Sequence, residues 1–183
     1  MGDFLGNNFF KLSGNNVLCG GKYSTIISNG LIVLNGDIVA ERIEGTGLFI
    51  CDGNLLVDTI HISGNLKTRK KIEAKLVDIN GSLNGSEHSA LYCSEFNVKG
   101  EVYLPNIKSD SVLIQKDKFF SIFHQVSEIG RIEAGKVRVE NTQSNYIRGN
   151  NVLIGTRCKI GTVEYNKSIS IHSQSIVKCV IKQ

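Results

Sequence analysis

TIHISGNL (residues 59–66), LVDINGSL (76–83) and EFNVKGEV (95–102) are three readings of one pattern, apolar-x-apolar-x-Gly-x-apolar. Aligned on their glycines, they place Ile60, Ile62 and Leu66 around Gly64. Val77, Ile79 and Leu83 surround Gly81, and Phe96, Val98 and Val102 surround Gly100. RIEGTGLF (42–49) extends the series back to Gly47, so consecutive glycines lie 17, 17 and 19 residues apart. A second phase runs between them: LIVLNGDI centres on Gly36 and LFICDGNL on Gly53, again 17 apart. Alternation with period two reads as half-buried strand, and a pattern that keeps its phase from one period to the next reads as a structural repeat.

Two architectures accommodate many short strands. An antiparallel sandwich needs hairpin turns, and Asn-Gly pairs at 29–30, 35–36, 80–81 and 84–85 offer them. Hairpins do not require the phase to persist, whereas a coil in which each turn stacks on the last does. The sequence therefore predicts an all-β fold: a single-stranded parallel β-helix (β-solenoid) of about 17–19 residues per turn, with ladders such as Ile62–Ile79–Val98 and Leu66–Leu83–Val102. The division expected is an N-terminal segment, residues 1–24, and a β-helix domain over 25–183. Past Pro105 the pattern loosens: Lys116 stands where glycine is expected, and FFSIFHQV (119–126) is strongly aromatic, so residues 115–128 read as an irregular turn with an extended loop.

Composition agrees. The chain has 183 residues, 41% apolar, with 19 glycines, one proline and no tryptophan. A net charge of +4 is too weak to announce a nucleic-acid partner. The run Lys67, Arg69, Lys70 and Lys71 lacks interleaved aromatics for base stacking. It reads first as a solvated corner and second as a contact for anionic lipid or an acidic partner. The five cysteines, at 19, 51, 93, 158 and 179, include no Cys-x-x-Cys and read as reduced thiols of a cytoplasmic protein, Cys51 and Cys158 at apolar positions of the repeat. No run of about 18 apolar residues suggests a membrane span. Residues 1–24 read as a cap or loose tail, or else as a weak membrane contact through Phe4, Leu5, Phe9 and Phe10.

Catalytic constellations are sparse. Asp37, Asp52, Asp58, Asp78 and Glu101 are scattered over corners, and none of His61, His88, His124 and His172 has metal-ligand spacing. Gly20-Gly21-Lys22-Tyr23 lacks the rest of a phosphate loop. No catalytic residue, cofactor or metal is expected. A β-helix enzyme, either a hexapeptide-type acyltransferase suggested by Ile154-Gly155 and Ile160-Gly161 or a polysaccharide-active enzyme, is the alternative.

The stretch IRGNNVLIGTRCKIGTVEY, from Ile147 to Tyr165, preceded by VRVENT (137–142), resembles the bactofilins, bacterial polymer-forming cytoskeletal proteins, in particular their Gram-positive spore-former branch. The resemblance covers roughly residues 25–181. It implies a right-handed helix and end-to-end assembly into filaments without nucleotide. It also implies a scaffolding role at the inner face of the membrane or with envelope and motility proteins. The Lys116–Ser127 irregularity and the absence of Pro-rich tails depart from the better-known members. Assembly has an independent physical motive, since an uncovered solenoid turn presents a core cross-section and unpaired backbone. The interface residues expected are Ile26, Ile32 and Leu34 toward one end, and Val177, Cys179 and Ile181 toward the other.

Overall fold

A computed structural model describes residues 8–116 and 126–183. These form strands β1 (Phe9–Cys51), β2 (Leu55–Thr68), β3 (Lys71–Gly85), β4 (Ala90–Gln115), β5 (Ser127–Val139), β6 (Thr142–Ile154), β7 (Lys159–Ile171) and β8 (Ile176–Lys182). They follow one another in sequence order through one eight-stranded sheet, and the pairing is parallel. The chain is a parallel β-solenoid. The Asn-Gly pairs within it do not make hairpins: Gly30, Gly36 and Gly81 take positive φ values of 129°, 97° and 141° at places where the coil bends.

The expected ladders form. Ile62 pairs with Ile79 and Ile79 with Val98, while Leu66 pairs with Leu83 and Leu83 with Val102. Phe49, Phe96 and the inward Ile, Leu and Val side chains make one continuous core, which also takes in Cys51 and Cys158. Polar side chains link successive turns outside it: Ser82 donates to Asn65, Thr46 to Asn29 and Ser168 to Asn151.

Turn length is less uniform than 17–19. The registers advance by 17 from β1 to β2 and from β2 to β3, then by 19 from Lys71 to Ala90. The step from Tyr103 to Glu128 is 25, the step from Ser127 to Thr142 only 15. The irregular region thus inserts residues between two turns without disturbing the ladder on either side, since Val112–Val137 and Ile114–Val139 remain paired. FFSIFHQ (119–125) lies outside the described residues.

The boundary expected at residue 25 is absent, because β1 begins at Phe9 and runs through it unbroken. Gly14 lies against Gly30, Gly20 against Gly36 and Asp37, and the Ser24 amide donates to the Asn8 carbonyl. Residues 9–24 therefore form a full additional turn. Ile26, Ile32 and Leu34 are 0% exposed beneath it, which corrects their expected place at an end: an interior turn buries them.

Seven buried positions among the described residues carry Ser or Thr, and at one of them the hydroxyl is unsatisfied. Ser28 is fully buried and its hydroxyl has no hydrogen-bond partner. Such a group costs about 1–3 kcal/mol. Ser28→Ala is expected to stabilise the protein by about 1 kcal/mol in urea unfolding; a loss of stability would show that the hydroxyl is satisfied in solution.

Candidate functional site

Three surfaces have features beyond core packing: a corner groove, the basic run, and the last turns of the coil.

The groove follows from the glycine column. Gly47, Gly64, Gly81 and Gly100 pair turn by turn. Each has a φ between 114° and 143°, and a Cβ on any of the last three would overlap the carbonyl oxygen of the glycine below. Side chains are thus excluded along a line, leaving a groove of about 820 Å³. It is flanked by Asn65, Ser82, Asn84, Lys99, Glu101 and Tyr103, and Lys116 and Asn141 continue it. Asn141 accommodates the corner with φ 50°, a conformation asparagine tolerates better than most residues. Burial raises the Glu101 carboxyl above the ordinary carboxylate range, partly offset by a hydrogen bond with Tyr103. Glu101 is the one carboxylate lining the described groove, whereas glycoside hydrolysis in its usual form uses two.

Two residues before Ser63 and Asn80 of the groove lining, His61 lies 3.7 Å from Asp78, both half exposed. A nucleophilic triad would require a hydroxyl hydrogen-bonded to that imidazole, and the hydrogen bonds of the described side chains include none to His61. Among the described residues no three His, Cys, Asp or Glu side chains converge to hold a metal. No helix among them is long and apolar enough to cross a membrane.

The basic run is partly paired, Arg69 with a neighbouring turn and Lys71 within its own strand. Arg69 lies 3.3 Å from Asp52, Lys75 lies 2.9 Å from Asp58, and Lys71 pairs with Glu73. Lys67 and Lys70 have no carboxylate partner among the described residues. Of the expected membrane contacts, Phe4 and Leu5 lie outside the described residues. Phe9 is 55% exposed, while Phe10 is half-buried and packs edge-on against Tyr23, ring centroids 5.5 Å apart.

The last described turn is partly covered. β8 covers only the first half of β7: Ile176 pairs with Lys159 and Lys182 with Tyr165. Ser168–Ile171 pairs with Asn151–Ile154 below and has no described strand above. Ile169 and Val177 are half-buried, and Ile171, Val180 and Ile181 are 39%, 45% and 42% exposed. The inward positions differ from those expected from alternation. Val177 stands over Ile160 and Val180 over Val163, both buried. Cys179 instead stands over Thr162 and Ile181 over Glu164, on the outer side. The coil turns a corner at Gly161–Thr162, so inward side chains fall three apart there instead of two, and a strict period-two extrapolation goes out of phase.

The thiols divide in the same way. Cys51, Cys93 and Cys158 are all shifted upward by burial, Cys93 to about 11, while Cys19 and Cys179 are exposed. A thiolate is the reactive form. In native protein two of the five cysteines are expected to react rapidly with an aromatic disulfide reagent near pH 8, and all five after denaturation. Rapid reaction of a third would reveal opening of the coil.

No family model, curated protein or solved structure matches this chain.

Proposed function

We propose that this protein is a structural scaffold that assembles end to end through its terminal turns, without nucleotide, in the manner of the bactofilins that residues 147–165 resemble. The observation that carries the reading is the half-covered last turn. Ile169, Ile171, Val177 and Val180 are apolar and aligned with core columns, and no described strand lies above them. Strand edges with unpaired backbone and apolar side chains are templates for further strands. The lysines of β8, Lys178 and Lys182, are exposed. Lys182 continues the column of Tyr165, which packs against the core, so a covering turn meets at least one charge there.

Negative-stain microscopy of the purified chain, with and without nucleotide, tests the reading. Filaments are expected in both samples; discrete particles at high protein concentration would reject it. The alternative of a β-helix enzyme would keep such particles and put its chemistry in the glycine-corner groove.

Charge sets how assembly responds to salt. Residues 8–24 carry Lys11 and Lys22, residues 166–183 carry Lys167, Lys178 and Lys182, and neither stretch contains Asp or Glu. A contact between these two described stretches therefore brings like charges together. The screening length falls to about 10 Å at 0.1 M salt, so raising ionic strength from about 0.02 M to about 0.2 M is expected to lower the concentration at which the protein pellets. Dissolution by salt would mean that ion pairs hold the ends.

A further inference from the structure

The outer face shared by β4, β5, β6 and β7 carries an ordered run of charge. Asn106, Lys108 and Asp110 point outward from β4, with Ile107 and Ser109 buried between them. The parallel register then stacks Lys108, Glu133, Arg148 and Glu164 in one column, one residue per turn. The contact of Cys93 with Ser109 sets Tyr92 below Lys108, and Ile181 stands above Glu164. Along the rod the column therefore runs apolar, positive, negative, positive, negative, apolar. Tyr92 and Ile181 are 43% and 42% exposed, and Lys108 and Arg148 are exposed as well. Unlike neighbours above and below have an explanation within one chain, because opposite charges on adjacent strands attract. Attraction within the chain requires neither an even number of charges nor an exposed apolar residue at each end of the run. Those two features make the column complementary to its own reverse.

We propose that this face docks a second copy of the chain, laid side by side and antiparallel about a two-fold axis between Glu133 and Arg148. Antiparallel placement sets the column against its own reverse. Lys108 then meets Glu164 of the second copy and Glu133 meets its Arg148, each contact made twice, while Tyr92 meets Ile181 at both rims. Within its own chain Lys108 has no ion-pair partner among the described residues, whereas Arg131 pairs with Glu133 and Arg148 with Glu164. The flanking column agrees with the same axis. Arg131 lies over the Tyr146 ring at 4.3 Å in its own chain, one turn below it, so the two-fold also sets Arg131 opposite the second copy's Tyr146. Parallel placement is disfavoured by these charges, since it sets Glu133 on Glu133 and Arg148 on Arg148. Six turns about 4.8 Å apart, three outward positions wide, cover roughly 500 Å² per copy, or roughly 1,000 Å² in all, the low end for a specific interface. Side-by-side pairing is independent of end-to-end contact. Where both occur, the weak lateral contacts add along the rods.

Lys108 and Glu164 supply the test. Within one chain they stand three turns apart, about 14 Å at about 4.8 Å per turn, too far for a carbodiimide, which joins an amine directly to a carboxylate. A Lys108–Glu164 link therefore reports a contact between copies. Isotope-labelled and unlabelled full-length protein, mixed at low ionic strength and treated with the reagent, are expected to give that link between labelled and unlabelled peptides. Glu133→Arg and Arg148→Glu each set like charges across the two-fold, and each alone is expected to lower the link yield at least tenfold. In an equimolar mixture of the two variants every reversed charge meets an opposite one on the other copy, and the yield is expected to return toward that of the parent. Mixing cannot repair a pair broken within one chain, so recovery separates the docking role from a purely internal one. Thermal unfolding checks that both variants keep the fold; should either fail to fold, the link in the parent protein decides alone. Absence of the link in the parent, its persistence in either folded variant alone, or its failure to return in the mixture overturns the proposal. Filaments that pellet without the link remove the lateral face and leave end-to-end assembly standing.

Discussion

Gly81→Ala is expected to lower the free energy of unfolding by about 3–5 kcal/mol, the combined effect of strain at a left-handed backbone position and overlap in a close-packed site. Gly81 has a φ of 141°, and an added methyl group would strike the Gly64 carbonyl oxygen. The obstacle is backbone hydrogen-bonded into the neighbouring turn, so it has no flexible end that can move aside. Gly64 and Gly100 flank Gly81 in the same column, and in a repeat protein each turn depends on its neighbours. Separating β2 from β3 would cost the contacts of both. Gly14→Ala is the control. Its φ is 76° but nothing lies within 4 Å of the added carbon, so only the conformational cost of about 1–2 kcal/mol applies. Urea unfolding of both variants, followed by circular dichroism, separates the two contributions. If Gly81→Ala loses no more than Gly14→Ala, the column is looser than its geometry implies.

The same glycines explain why so much of the architecture is readable in the chain. A column of positions where only glycine fits leaves one residue type at a fixed spacing. The inward neighbours of that column, Ile62, Ile79 and Val98, keep their phase because each must cover the last. Where another residue meets the corner, as Lys116 and Asn141 do beside the groove, the signal fades although the coil continues. Residues 9–24 hide their turn for a related reason. Gly14, Asn15, Asn16, Gly20 and Gly21 interrupt the alternation, and only the stack above reveals that Phe10, Leu12 and Leu18 face inward. At the far end the error has the opposite sense. Val177, Cys179 and Ile181 alternate cleanly in sequence, but the corner over Gly161–Thr162 turns the last two outward. A one-dimensional pattern records period and composition; it does not record where the backbone bends, and the bends decide which apolar side chains are left for a partner. The groove is invisible in sequence for the same reason, since it exists only once the glycines stand in line.

Val177→Lys is the substitution expected to act most strongly on assembly. Val177 extends the column of Ile160 and is half-buried with no described turn above it. In the unassembled protein a lysine there lays its stem along the core and carries its ammonium out through the open end, so stability is expected to change by less than about 1 kcal/mol. A covering turn closes that exit. The ammonium is then trapped over Ile160 without a carboxylate, and an uncompensated buried charge costs about 3–5 kcal/mol. With tenfold in an equilibrium constant for every 1.4 kcal/mol or so, the concentration needed for assembly is expected to rise by roughly 100- to 4000-fold. Cys179→Ser, at an outward position of the same strand, is expected to leave it unchanged. Sedimentation across a concentration series, with thermal unfolding as the check on the fold, measures both. Pelleting of Val177→Lys at the parent concentration would remove the open last turn from the interface, and with it the physical ground for assembly through that end.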